Sequence, residues 1–558
     1  MKADSTTLAG ILTPDNRYVI PLFQRDYVWG KREWEDLWDD LTEIREAKER
    51  ANSHFMGAIV FVAETPLPNK PLTYQVIDGQ QRLVTLSILL CALRDVAKNH
   101  GFDSLSSEIT NNYLTHPFKK NEERFRLYPR WRDRDYYVAA VDQRAVSGDG
   151  IGNALEFFTK QVNALPESDD KDVLSNLFNM VCRRLNFVQV NLDIAENTFQ
   201  IFRSLNSTGV DLAESDLIRN FVFMKVGEGK QEEFDREQWE PLEKHFENRD
   251  PKHKGKLDGK AFSAFLRDFL MHKGNYIGIN TTFQQFENYW NGVSDPVQLV
   301  NQLTKYVQLY DVIRGPKPHP LGDGKIDEAV KHLRQLDTST TNPLVLNLLH
   351  RAAEGEMSTG DVTHALRLVS GFILRRFVCS ESSRAYGKWF VAACAQLKDS
   401  PLENLRSFLQ TKGFPDNASF QDAFVTFDLY KSNYALMILK SLELSLPHKE
   451  RADLSKAQIE HIMPQKLTQE WTTFVGAEDG PVHRRWLHTV GNLTITAYNG
   501  ELARKSFAAK RKIYQESHFS ITKELYRHEL IIWGESQMSF RAKLMAERAK
   551  DIWIGPDA

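Results

Sequence analysis

Absences narrow this sequence first. Its 558 residues include only four cysteines, Cys91, Cys182, Cys379 and Cys394. They lie far apart with no CxxC pair, so neither a disulfide framework nor a cysteine zinc site is expected, and a reducing cytoplasm fits best. Excess charge is missing too: 71 Lys+Arg against 74 Asp+Glu leaves −3, so no global basic field advertises a nucleic-acid ligand. The greasiest run, Val84 to Leu93, is far short of the roughly 20 residues that span a bilayer. The opening MKADSTTLAG has no basic stretch leading into an apolar core, so no membrane or secretory role is expected. No GxxxxGK[ST] occurs, since GEGKQ at Gly227 to Gln231 lacks both spacing and hydroxyl, and a P-loop mechanism is excluded. What is present is a globular composition, 42% hydrophobic and 26% charged, in a chain long enough for two to four domains.

The pattern predicts a mixed α/β front. Trp34, Leu37, Trp38, Leu41 and Ile44 recur at helical spacing. HFMGAIVFVAE and LTYQVID read as two strands around a Pro/Asn/Lys loop, and the second runs through DGQQR into the apolar helix LVTLSILLCALRDVA. Residues 100–185 read as helical, with a packed, solvated connector at ERFRLYPRWRDRDYY; the GDGIG run (Gly148 to Gly152) reads as a loop. FVQVNLD alternates as a strand should, and it leads into two helical stretches around the turn Ser204-Leu205-Asn206-Ser207-Thr208-Gly209. Residues 226–430 read as an all-helical spacer or platform.

Three front elements carry chemistry. At the strand–DGQQR–helix junction (Asp78, Gly79, Gln80, Gln81, Arg82), free N–H groups and the positive dipole end suit a phosphate, and Gly79 permits close approach. Arg82 offers a bidentate clamp and Asp78 a carboxylate for a phosphate-bound magnesium ion. In Phe23-Gln24-Arg25-Asp26-Tyr27, polar side chains within an apolar run need partners, either the DGQQR loop or a bound nucleotide. The Ser204–Gly209 turn is placed to close over the same pocket.

The last hundred residues hold a second constellation. AQIEHIMPQ predicts a strand through Glu460 and His461, and after a gap HTVGNLTITAYNGELARKSFAAKRKIY predicts a strand and an amphipathic helix. A ββα-metal nuclease needs a histidine base at a strand end and a cation on oxygen ligands. His461 is the expected base, Glu460 and Asn499 are the expected metal ligands, and Asn492 is expected to hold the imidazole by a hydrogen bond. Lys505, Lys510, Arg511 and Lys512 form a local basic face, with Lys505 and Lys510 expected on DNA phosphates.

Together IPLFQRDYVW, VIDGQQRLVTLSIL and IFRSLNSTGVDLAESDLIRN resemble the GmrS-type nucleotide-hydrolysing domain, of ParB/sulfiredoxin-like fold. IEHIMPQ…HTVGNLTIT…N resembles the GmrD-type HNH (His-Me finger) nuclease domain. The two in one chain resemble the fused GmrSD type IV restriction enzymes, related to BrxU and SspE. The resemblance implies Mg²⁺-dependent (or Mn²⁺-dependent) cleavage of modified phage DNA, controlled by a nucleoside triphosphate that the front domain binds or hydrolyses; a homodimer is compatible with it. It carries over Gln24 and Arg25 with Asp78 to Arg82 as nucleotide-binding positions, and His461, Asn492 and Asn499 as the nuclease set. Glu460 stands where many HNH enzymes have Asp. The expected division is a sensor at 1–225, a helical platform at 226–430 and a nuclease at 431–558. A nonspecific nickase or RNase on the same scaffold, and a ParB-like DNA-binding module with an inactive nuclease segment, are the rival readings.

Overall fold

The computed structural model describes residues 2–558 except 23, 47–52, 66–70, 147, 149, 193–212, 228, 249–256, 316, 337, 448–449, 451 and 528. Two compact units emerge: 1–263 with 286–301, and 264–285 with 302–558. The turn Ser204–Gly209 and the helical stretch before it lie outside the described residues.

The first unit is built on a six-stranded mixed sheet. Its strands are β1 (Lys2–Thr7), β2 (Asn16–Val19), β3 (His54–Ala63), β4 (Leu72–Asp78), β5 (Leu127–Tyr128) and β6 (Leu185–Leu192), in the order β1-β6-β3-β4-β2-β5. β3 pairs antiparallel with β4 and parallel with β6, so the two strands expected around the loop at 64–71 are neighbours. In β6, Leu185 and Phe187 share one face and lie in the core, whereas Val190 and Leu192, of the other parity, are buried on the opposite face. At the centre of that core is the helix Gln80–Asn99, buried along nearly its whole length, because its apolar run leaves no polar face to give to water. The helix Lys31–Glu46 buries Trp34, Leu37, Leu41 and Ile44 as its spacing predicts. One correction and one addition follow. Gly150 and Gly152 open the helix Gly150–Asn163 rather than lying in a loop, since Ile151, Ala154, Phe158 and Val162 give that segment an apolar stripe. The first residues form β1, which their polar composition conceals.

The second unit is helical apart from a two-stranded antiparallel sheet, β7 (Gln458–His461) and β8 (Leu493–Thr496), in which His461 faces Leu493. The helix Glu535–Ile552 backs this sheet. Its buried Arg541 donates to the Val490 and Leu493 carbonyls at 2.8 and 2.6 Å, closing the turn between them. The Gly491 position lies against the Met538 carbonyl of that helix, where a methyl group would collide; the glycine of GNL is therefore set by close backbone packing. Among the described residues, no helix is long and apolar enough to cross a membrane.

Candidate functional site

In the second unit, the strand register aims successive side chains to opposite faces. His461 and Glu460 therefore do not share a site. Glu460 turns inward onto Lys510, Oε1 to Nζ 2.6 Å, and Lys510 also donates to the His461 carbonyl at 2.8 Å. Burial raises the Glu460 carboxyl and lowers the Lys510 ammonium, each opposed by the partner's charge. This corrects two expectations. Glu460 is consumed by an internal ion pair rather than offered to a metal, and Lys510, wholly buried, braces the strand from beneath rather than meeting DNA. Lys505 and Lys512 on the same segment are exposed.

His461 faces the other side, 7% exposed. Burial first, then the neighbouring His488, Lys510 and His483, push its imidazole down to about 3, so it is neutral at physiological pH with a lone pair to use. Its Nε2 lies 3.2 Å from His488 Nδ1, and its Nδ1 3.4 Å from the Gln465 amide nitrogen. Tyr430 stands edge-on to His461, centroids 4.4 Å apart, and stacks on His488 at 5.2 Å.

Asn492 does not meet the imidazole. Its carboxamide donates to the Met463 and Leu487 carbonyls, both at 3.0 Å, and accepts from Met463 N–H at 2.7 Å and Trp533 Nε1–H at 3.2 Å. All its bonding capacity goes to holding the chain after His461 against the chain before β8. His483 does similar work: it faces the Pro464 carbonyl through Nε2 and accepts Asp479 N–H at Nδ1. Sequence reasoning missed His488, Tyr430 and His483; His488, four residues before Asn492 in HTVGN, was visible as a second histidine in the motif.

Asn499 follows β8 in the turn Asn499–Leu502. Its amide nitrogen donates to the Ile459 carbonyl at 3.0 Å, which ties it to β7 two residues from His461. Its Oδ1 is buried with no hydrogen-bond partner among the described residues. An orphaned carboxamide oxygen suits a hard cation, and magnesium takes few protein oxygens while keeping waters. No group of three or more His, Cys, Asp or Glu able to hold a metal occurs among the described residues, so a site here would be of that sparse kind.

In the first unit, a cleft of about 420 Å³ is lined by Arg25, Asp26, Arg132, Asp216, Glu243 and neighbouring residues. Its floor is a buried ion network. Arg130 meets Asp26 at 2.9 Å and Asp235 at 2.8 Å, Arg219 meets Asp235 at 2.8 Å and Glu243 at 3.2 Å, and Arg132 meets Asp26 and Glu243. Burial alone would raise the Asp235 carboxyl, but Arg219 and Arg130 outweigh it and hold it well below the carboxylate range. Burial raises Asp216, while Arg25 favours its ionised form. The arginine–aromatic connector is packed as expected, but its Arg130 is buried in this network rather than solvated.

Of the DGQQR junction, Gln81 braces the chain segment that lines this cleft. Gly79, at φ +91°, sits with Ile59 3.0 Å from where a Cβ would be. Gln81 Oε1 accepts the Val28 and Trp29 N–H groups while its Nε2 donates to the Asp26 carbonyl. Gln24 donates to the Ile77 carbonyl at 2.8 Å, and Arg82 to the Ala58 carbonyl at 2.7 Å. Gln24 and Gln81 thus join the QRDY and DGQQR segments as expected, and Arg25 reaches the cleft. Gln24, Asp78, Gly79, Gln80, Gln81 and Arg82 are not among its lining residues.

Two family models match the chain: the N-terminal domain of GmrSD restriction endonucleases over residues 8–223 and their C-terminal domain over residues 414–548. No curated protein matches it.

Proposed function

From a chain that belongs to the GmrSD restriction endonucleases, N- and C-terminal domains fused, we propose a nucleotide-regulated, magnesium-dependent HNH-type nuclease that cuts modified phage DNA. The observation that carries this reading is a neutral, nearly buried His461 at the end of β7, with the unpartnered Asn499 Oδ1 tied to the same strand.

In this reading His461 takes a proton from the water that attacks the scissile phosphate. Its depressed basicity keeps the lone pair free at neutral pH, and positioned general bases contribute about 10²–10⁴ in rate. Asn499 Oδ1 holds the cation, which when bound stabilises charge on the phosphate and the leaving oxygen. Asn492, His483 and Arg541 fix the main chain around the base, so that little reorganisation remains at the moment of reaction. Lys505 supplies phosphate attraction that the whole-chain charge does not.

The nucleoside triphosphate is assigned to the first unit, with Arg25 and Arg132 facing its phosphates in the cleft and Gln24 and Gln81 bracing the segment that carries Arg25, while Asp78, Gly79, Gln80 and Arg82 form the junction from which Gln81 projects. A cleft of about 420 Å³ falls within the usual size of small-ligand sites.

The test is digestion of phage DNA with and without modified cytosine, plus unmodified duplex, single-stranded DNA and RNA, with Mg²⁺ and with or without added triphosphates. Cleavage confined to modified duplex and abolished by His461→Ala is expected. Undiminished cutting by that variant sinks the nuclease assignment. Retention of DNA in a gel shift without cleavage at any divalent concentration favours a binding module, and cleavage of RNA an RNase.

A further inference from the structure

We propose that His488 is the positioning residue of the nuclease centre: it accepts the His461 Nε2–H and thereby leaves Nδ1 unprotonated, facing the attacking water. The inference rests on His461 being the base and adds what sets its tautomer.

A histidine base works only if the nitrogen toward water lacks a hydrogen, and the bond made by the other nitrogen decides this. The asparagine expected to do so has its carboxamide saturated by Met463, Leu487 and Trp533. Among the described residues, the side-chain partner of His461 Nε2 is His488 Nδ1, at 3.2 Å. On the other edge, the Gln465 amide nitrogen is a donor, so Nδ1 is the acceptor; at 3.4 Å that contact is long enough for water to replace it. With Nδ1 accepting, the single ring hydrogen of neutral His461 is on Nε2, and His488 Nδ1 must take it.

The geometry of His488 is itself held. Tyr430 stacks on its ring with 11° between planes and donates its backbone N–H to the His488 carbonyl at 3.1 Å. The preceding carbonyl, of Leu487, is tied down by Asn492. Asn492 therefore acts on the imidazole through the chain that bears His488. Asp428 and Lys431 act on the charge of His488 from one side, and Lys510 and His483 on that of His461 from the other.

In the step this supports, one O–H bond of water breaks and its proton binds Nδ1, giving an imidazolium whose Nε2–H stays on His488. The water oxygen forms a bond to phosphorus, and the phosphorus–oxygen bond to the leaving sugar breaks. The leaving oxygen keeps that electron pair and takes a proton from solvent.

The experiment uses the full chain with three variants. His488→Asn keeps an acceptor at the Nδ1 position, His488→Phe keeps a ring to stack on Tyr430 but no acceptor, and His461→Ala removes the base. On modified phage DNA with Mg²⁺, His488→Phe is expected to lower kcat by about 10–100-fold with KM within about twofold, and His488→Asn to recover most of the loss. In ¹⁵N spectra without DNA, His461 is expected to show an unprotonated Nδ1 and a protonated Nε2, and His488→Phe to scramble this pattern. Wild-type turnover by His488→Phe, or an Nδ1-protonated His461 in the parent protein, overturns the proposal. Equal impairment of the Asn and Phe variants with matching losses of thermal stability overturns it in favour of a structural role. If His461→Ala still cuts, the nuclease reading has failed instead, and the ¹⁵N pattern still decides the tautomer.

Discussion

A left-handed glycine, a buried histidine and a surface lysine each act here through one atom or one angle. Gly79 at φ +91° is a conformation that side chains rarely adopt, and Ile59 leaves no room for a methyl group. Gly79→Ala is expected to cost about 1–3 kcal/mol, read as a lower urea midpoint; an unchanged midpoint contradicts it. His461 gives a pH signature. Its folded value, lowered to about 3, lies below the ordinary value near 6.5, so between those limits the unfolded chain binds a proton that the folded one does not. Its contribution to stability is complete above about pH 6.5 and falls by about 1.4 kcal/mol per pH unit as pH drops toward 3. Wild type should therefore lose stability more steeply than His461→Asn between pH 6 and 4, and parallel curves refute the assignment. Lys505, exposed beside the nuclease strands, should reduce the salt slope of DNA binding by about 1 when changed to Ala. These residues were legible from sequence as types in a motif. Their partners were not, because which atom faces which is fixed by the register of β7 against β8.

Elements carry the next set of consequences. The Lys510–Glu460 pair bridges the helix Phe507–Gln515 to β7, and burial works against both charges. Lys510→Met should cost about 3–5 kcal/mol by leaving a buried carboxylate alone, whereas Glu460→Leu with Lys510→Met should recover most of it. Denaturant unfolding of the two variants decides this, and equal losses would refute it. The same logic holds in the first unit. Asp235 sits where the short helix Gln231–Phe234 continues into Asp235–Trp239, beyond the matched N-terminal segment, and compensates both Arg130 and Arg219. Asp235→Ala should destabilise that unit by a similar amount and, if the proposed triphosphate site is the cleft above it, reduce the stabilisation that ATP gives, measured by melting with and without ATP. Helical periodicity revealed these helices but not that Lys510 and Asp235 turn inward, since oppositely charged partners from other segments supply the reason.

For the whole molecule, a net charge of −3 predicts weak nonspecific attraction to DNA, which suits a nuclease that must spare unmodified duplex. The sequence by itself determined the α/β front with its two strands around the loop at 64–71, the buried helix after DGQQR, and the strand bearing His461. Local periodicity and turn chemistry suffice for each, because their buried faces are written in consecutive residues. The tertiary structure alone decided that Glu240, Glu243, Glu247 and Leu257 line the cleft of the first unit, that Glu460 and Lys510 satisfy each other, and that His488 rather than Asn492 meets the His461 imidazole. Each of these depends on charged or polar groups far apart in sequence finding partners once water is removed, and an unpaired buried group is too costly to leave. Sequence spacing carries no record of that pairing.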